Sequence, residues 1–236
     1  MSADAALLEL LHFLRLQDYQ HTAVTPKTHE TVVSRPLKHP PSLADILGWN
    51  RPFEEAALDP QLYALLERAG ALETADEVKL RTNIRVASLG TGLFLHSAFP
   101  TNEKDAVFFG PDTYRFVRFL EAQISQLENV CLSVDMGAGS GAGGIAVARK
   151  LGGPRTILVD INVKALRYAR INAAAAGVDV ELLQSDCVPQ CDLLVGNAPY
   201  LMDAGGRAYR DGGQLLGGAV SLDWIEQGLR QVSPGG

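Results

Sequence analysis

Two short segments of this chain carry residue types and spacings that could do chemistry. One is Asp135-Met136-Gly137-Ala138-Gly139-Ser140-Gly141, and the other, about 60 residues further on, is Asn197-Ala198-Pro199-Tyr200. Glycines at 137, 139 and 141 let a backbone turn sharply and approach a bound group, because no side chain stands between them. A helix opening just beyond the loop would add free amide groups and the positive end of its dipole. Asp160 follows Gly137 by 23 residues and could accept hydrogen bonds from both hydroxyls of a ribose. The same residue type also caps helices, and Asn162 lies two residues on. Gly137, Gly139 and Ala142 fit the dinucleotide fingerprint too, so the loop alone specifies an adenosine-bearing cofactor and no more.

Two features tilt that choice toward S-adenosylmethionine and away from NAD. Asp135 stands two residues before the first glycine, where a carboxylate could hold the loop or face an ammonium group. Ser185-Asp186-Cys187 follows a third strand-like run, where a carboxylate could accept from an adenine amine. The second segment follows the apolar run Leu193-Leu194-Val195. Read alone, it is a proline stop after a strand; read behind the glycine loop, it is a reacting corner. Other candidates are weaker. Gly139-Ser140-Gly141 lacks the spacing of a hydrolase nucleophile elbow. The histidines (His12, His21, His29, His39, His96) have no metal-ligand spacing, so no metal is expected. Trp49 and Trp224 read as packing residues, and Arg210 as a substrate contact or a partner of Asp211.

The elements that must position these residues can be read from periodicity. Val130–Val134, Thr156–Val159, Val178–Leu183 and Cys191–Val195 read as strands, and Gly143–Leu151, Val163–Ala176 and Leu222–Val232 as helices. Such alternation gives a parallel sheet with helices on both faces and ligands at the strand C-terminal edge. Ahead of it, Ala5–Leu16 has a dense apolar helix pattern, residues 21–41 read as a polar loop, and Ser42 opens a short helix. Asp59-Pro60 opens another helix that Gly70 closes. Val78–Val86 alternates as a strand, turns at Gly90-Thr91-Gly92 and returns through Leu93–His96. The expectation is therefore a smaller mixed N-terminal domain over residues 1–105, its helices and hairpin compatible with a winged-helix-like module or an accessory sheet, before a Rossmann-like doubly wound domain over 106–236. Ser233-Pro234-Gly235-Gly236 resembles a turn into a further strand, so the sheet is expected to lack its last strands.

Composition narrows the function. The net charge of −6 divides into −4 before Gly110 and −2 from there on, so neither part is a basic body of the kind that binds nucleic acid nonspecifically. Lys79, Arg81 and Arg85 nevertheless alternate along one strand and keep an RNA or DNA partner open. No apolar run approaches the length of a membrane span. Cys131, Cys187 and Cys191 are too few for a disulfide framework, which points to reduced thiols and a cytoplasmic protein.

Together the motifs resemble the class I S-adenosylmethionine-dependent methyltransferases, over about Phe108 to Gly236. Within them they resemble the amino-methyltransferase branch whose fourth strand ends in Asn/Asp-Pro-Pro-Tyr, which includes the release-factor glutamine and nucleic-acid adenine methyltransferases. Gly110-Pro111-Asp112-Thr113 is similar to the branch's cofactor-contacting turn, and Tyr209–Gly213 with Gly217-Gly218 to its glycine-rich segment.

The resemblance implies that Asp135, Gly137, Ala138, Gly139, Gly141, Asp160, Ile161, Asp186, Cys187, Asn197 and Thr113 seat S-adenosylmethionine. It implies that Asn197, Pro199 and Tyr200 form the catalytic corner, and that Ala198, Tyr200 and Arg210 meet the substrate. The Asn197 oxygen and the Ala198 carbonyl would accept the two hydrogens of a planar amine, freeing its lone pair toward the methyl group. Tyr200 would stack on the planar group. Ala198 departs from the first proline and loosens the turn. The implied acceptor is a protein glutamine amide or a nucleic-acid adenine amine. A noncatalytic cofactor-binding scaffold is the alternative, and an NAD-dependent oxidoreductase a weaker one, since it leaves residues 197–200 unexplained.

Overall fold

A computed structural model describes residues 2–203 and 205–233. The chain divides into two compact units, one up to Thr101 with Phe109–Pro111, the other Asn102–Phe108 with the residues from Asp112 on.

The first unit packs α1 (Ala3–Leu16), α2 (Pro26–Val33) and α3 (Pro60–Arg68) with two small antiparallel sheets. Ser2 caps α1 by accepting from the Ala5 amide, and Leu7, Leu10, Leu11 and Leu14 turn one buried face inward. The run expected to be a loop holds α2. Thr25 caps it through the Thr28 amide with Pro26 in its first turn, and the Arg51 guanidinium donates to the Val32 and Val33 carbonyls at its end. That second cap comes from far along the chain, which is why local composition concealed the helix. Asp59 and Gly70 bound α3 as expected, with Gly70 at φ 63°. Ser42 and Asp45 cap each other at the start of a short helical turn, Ala44–Gly48.

The strand expected over 78–86 is two. β1 (Leu72–Thr74) pairs with β2 (Leu80–Thr82), and β3 (Ile84–Leu89) pairs with β4 (Gly92–Ser97). Asn83 separates them, its amide bound to the Ala71 carbonyl and its side chain to that of Gly70. The expected basic stripe is not a stripe. Arg81 is paired across the strands with Glu73 at 2.7 Å, and Arg85 is buried, donating to the Ser97 carbonyl beside His29.

The second unit is a four-stranded parallel sheet, order β7-β6-β5-β8, from β5 (Leu132–Met136), β6 (Arg155–Asp160), β7 (Glu181–Gln184) and β8 (Leu193–Gly196). Four helices accompany it: α4 (Pro111–Gln123), α5 (Ala142–Lys150), α6 (Val163–Ala176) and α7 (Ala219–Gln231). This is the Rossmann-like architecture expected. Side chains alternate across the sheet. Val134, Met136, Ile157 and Val159 face Trp224, while Leu158 faces Ala169. Asp135, between Val134 and Met136, is thereby turned to the other face.

Several boundaries differ by two or three residues. β7 begins late because Gly177, left-handed at φ 68°, and the Val178 amide are still closing α6 on the Ala173 carbonyl. β8 begins late because Cys191 pairs with Val232 and the Asp192 carboxylate binds the Cys131 and Leu132 amides. Pro111, Asp112 and Thr113 lie in the first turn of α4 and not ahead of it. The expected turn at Pro234–Gly236 lies outside the described residues. Among those residues, no helix is long and apolar enough to cross a membrane.

Candidate active site

The three loop glycines at 137, 139 and 141 have φ of 68°, 55° and 81°, left-handed values that side chains rarely adopt. Gly141 opens α5. Asp160, at the end of β6, holds the loop: its carboxylate accepts from the Gly139 amide at 2.8 Å and from the Asn162 amide at 2.8 Å. Each oxygen keeps further lone-pair capacity for a ligand hydroxyl. Asn162, and not Asp160, caps α6.

Asp135 is buried, and its carboxylate accepts from the Gly144 amide at 2.7 Å. Burial pushes its pKa up to about 7; the Gly144 hydrogen bond opposes that shift and the Asp160 charge adds to it. Helix α5 comes this close because residues 143 and 144 are glycines. A Cβ on Gly143 would lie 2.6 Å from the Phe116 ring and 2.9 Å from the Asp135 carboxylate, and one on Gly144 would clash with the Leu158 side chain and lie 3.1 Å from the Asp135 Cβ. Close packing of the first turn of α5 on Phe116, Leu158 and Asp135 leaves no room for a side chain at either position.

The reacting corner follows β8. Asn197 donates from Nδ2 to the Asp112 Oδ2 on α4, a long bond at 3.4 Å that leaves the amide oxygen to accept elsewhere. The glycine-rich segment packs directly on the corner. The Gly212 amide donates to the Leu201 carbonyl at 2.7 Å, and the Leu201 amide to the Arg210 carbonyl at 3.2 Å. Side chains are excluded there: a Cβ on Gly212 would lie 2.6 Å from the Pro199 carbonyl oxygen, and one on Gly217 2.5 Å from that of Tyr200. Arg210 lies by Asp203 at 3.6 Å, not by Asp211. The Asp203 carboxylate, held low by Arg207, also binds that guanidinium.

One cavity of about 460 Å³ joins the two ends. Thr113, Asp135, Gly137, Ala138, Gly139 and Asp160 line it, as do Ile161, Asp186, Asn197, Ala198, Pro199 and Tyr200. Gly141, Cys187 and Arg210 do not. Gly141 acts through backbone, and Cys187 is exposed with its thiol pushed up by the hydrogen bond to Asp186. A Cβ on Gly139 would meet nothing closer than 4.0 Å. It would stand in the cavity, the condition for a ligand approaching bare backbone. The Asp160 and Asp186 carboxylates at the strand ends suit ribose hydroxyls and an adenine amine.

Four contributors were not legible in the sequence. Trp224 of α7 fills the space under both loops, 3.2 Å from where a Gly196 Cβ would be. Asp112 orients Asn197. Phe108 and Tyr209 stack in parallel over the cavity wall, centroids 5.1 Å apart. Trp224 and Phe108 lie more than 20 residues from either motif in sequence and carry no signature of their own, and Tyr209 stood in the quoted glycine-rich segment without a role. Asp112 stood inside a quoted motif but was credited to the cofactor turn.

Comparison with known proteins points to methyltransferases. Residues 116–208 match the family model for the methyltransferase small domain. The chain is 37% identical over 203 residues to release factor glutamine methyltransferase of Enterococcus faecalis, covering 70% of this chain and 71% of that protein. It is 30% identical over 122 residues to the protein of that name from Flavobacterium psychrophilum, 48% of this chain and 42% of that one. Ribosomal RNA small subunit methyltransferase C of Pseudomonas aeruginosa is 28% identical over 156 residues, 64% of this chain and 40% of that one. Among solved structures, the 16S rRNA N2 G1207 methyltransferase of T. thermophilus is similar, with TM-score 0.47 and 16% identity over 72% of this chain and 50% of that chain.

Proposed function

Because this chain belongs to the S-adenosylmethionine-dependent methyltransferase family that includes the release factor glutamine methyltransferases, we propose that it transfers a methyl group to the side-chain amide of a protein glutamine. The observation that carries this reading is the anchored Asn197 amide in the wall of the same cavity as the glycine loop. When bound, S-adenosylmethionine supplies an electrophilic methyl on sulfur. Asp160, Asp186 and the bare backbone of the loop would hold it.

The chain's own residues do the positioning. An amide nitrogen is a poor nucleophile because its lone pair is delocalised into the carbonyl. Asn197 Oδ1 and the Ala198 carbonyl accept its two hydrogens and favour the form whose lone pair is free. Tyr200, more than half exposed, offers its ring as a platform for the planar amide. Orientation and fixed dipoles then supply the acceleration, and the methylated nitrogen, cationic once the new N–C bond has formed, gives up one of its two hydrogens to solvent, so no strong base is needed.

The charge around the cavity favours a polypeptide acceptor over a nucleic acid. Its lining includes Asp112, Asp135, Asp160, Asp186, Asp211 and Asp223 and neither lysine nor arginine. Contacts from lysine or arginine to phosphate dominate nucleic-acid affinity, and this wall supplies none. The N-terminal unit is proposed as an accessory or substrate-recognition domain, and the free thiols fit a cytoplasmic setting.

The test is methyl transfer from labelled S-adenosylmethionine to a purified bacterial release factor and, separately, to ribosomal RNA. Label on a release-factor glutamine is expected. Asn197→Ala should bind S-adenosylhomocysteine within about twofold by calorimetry and lose 10²–10³-fold in turnover, on the scale of one lost transition-state hydrogen bond. Label on RNA alone, or unchanged turnover in the variant, would sink the reading.

A further inference from the structure

The turn that ends in Gly217 holds two consecutive residues, Leu215 and Leu216, in left-handed backbone, φ 57° and 58°. A leucine adopts this conformation at a cost that glycine avoids. Neither leucine recovers that cost by burial, for they are 67% and 89% exposed. The turn is not remote. Gly217 packs against the Tyr200 and Leu201 backbone, and the Gly212 amide is bound to the Leu201 carbonyl. Tyr200, Leu201 and Met202 are themselves exposed, Met202 at 68%. Exposed apolar side chains therefore stand on the reacting corner and on the turn packed against it, those of the turn on strained backbone. Strained backbone at a functional site and exposed large apolar side chains clustered beside it are each marks of a binding surface.

We propose that Leu215 and Leu216, with Met202, form an apolar clamp that grips aliphatic side chains flanking the target amide of a polypeptide substrate. The proposal rests on the amide-methylating reading above. The occupant is a polypeptide because the turn packs on the amide-binding corner and, among the described residues, the cations beside it are already paired. The nearby Arg207 and Arg210 both face Asp203, and the cavity behind is lined by aspartates. The leucines touch neither cofactor nor reacting atoms in this scheme. They raise the occupancy of the corner by substrate.

Left-handed backbone supplies an unusual test. Leu215→Gly/Leu216→Gly removes the strain together with the apolar side chains, so the variant should melt no lower than the parent and yet bind substrate worse. The probe is a fluorescently labelled bacterial release factor titrated with the full chain in the presence of S-adenosylhomocysteine. Expected are at least tenfold weaker binding in the double variant, unchanged S-adenosylhomocysteine affinity, and recovery to within about threefold in Leu215→Met/Leu216→Met. Equal binding by the parent and the glycine variant overturns the clamp, whether or not glutamine is methylated, and so does absence of binding by the parent. Binding of a labelled ribosomal RNA fragment that the glycine variant loses overturns the polypeptide occupant. Release-factor binding that depends on the leucines, without methyl transfer to glutamine, leaves the clamp standing and removes the reaction instead.

Discussion

Replacing Asp135 by asparagine should uncouple stability from pH in a way that can be worked out in advance. In the folded chain this carboxyl titrates at about 7 against an ordinary value of 3.8, with burial as the largest cause. Between those values the native state keeps a proton that the unfolded chain has released, so stability falls as pH rises through the window. At 1.36 kcal/mol per pH unit the accumulated loss reaches about 4 kcal/mol by pH 8. Asparagine is neutral throughout, and its side-chain oxygen can accept from the Gly144 amide in place of the carboxylate. The stability of Asp135→Asn minus that of the parent should therefore climb from pH 4 to pH 8 and level off above. In Tm that is on the order of 10 °C for a chain of this size. Urea unfolding at half-unit pH steps reads the difference directly. Buried histidines change both proteins alike and cancel. Parallel curves for the two proteins would show that Asp135 is ionised in the folded chain near neutrality and would refute the reasoning.

Other outcomes follow from single contacts. Asp112→Ala releases the Asn197 amide from the Asp112 carboxylate, and at ~0.5–1 kcal/mol for a long, exposed bond kcat should fall about two- to fivefold while S-adenosylhomocysteine affinity, read by calorimetry, stays put. Gly217→Ala places a methyl group against the Tyr200 carbonyl at a φ of 90°, so turnover should drop more than tenfold with a lower Tm, both measured on the same preparation. His21 and His29 are held neutral with pKa values near 4, by burial first and the Arg85 charge second. Each folded pKa lies below its unfolded value of 6.5, so the stability each gives is lost as pH falls from 6.5 toward 4, on the order of 3 kcal/mol apiece. His29→Gln should flatten the acid limb of the unfolding profile.

The sheet was legible because its signals are local. Apolar strands and the Gly141 and Gly177 helix boundaries act within a few residues of themselves, although the α6 cap fell to Asn162 and not to Asp160. The cofactor end was legible for the same reason, since left-handed loop residues must be glycine or nearly so. What escaped reading is what long-range contacts decide. Arg51 caps α2 across 18 residues, so a polar run became a helix. Arg85 looked like a solvent-facing base by alternation, but its strand belongs to a different pairing from that of Arg81, and its side chain is buried. Trp224 read as generic packing because nothing near it in sequence marks the cavity floor, which only the crossing of α7 beneath two loops creates.

The alanine at position 198 joins these threads. A proline there would fix φ and hold the corner by itself. This chain holds the corner from outside: Asp112 ties Asn197, the Gly212 amide ties the Leu201 carbonyl, and Gly217 lets a second turn press on Tyr200. If that external frame does the proline's work, restoring Ala198→Pro gains only the entropy removed from the unfolded chain, about 0.4–1 kcal/mol of stability, and changes kcat by less than twofold. Made in the Gly217→Ala background, where the frame is damaged, the same substitution should recover a large part of the lost turnover. The double-mutant cycle separates the two cases, because a shared task appears as a coupling of at least ~0.5 kcal/mol and independent tasks simply add. A tenfold gain from Ala198→Pro in the parent would mean that the corner is loose as it stands, and that the glycine-rich segment packs on it without ordering it.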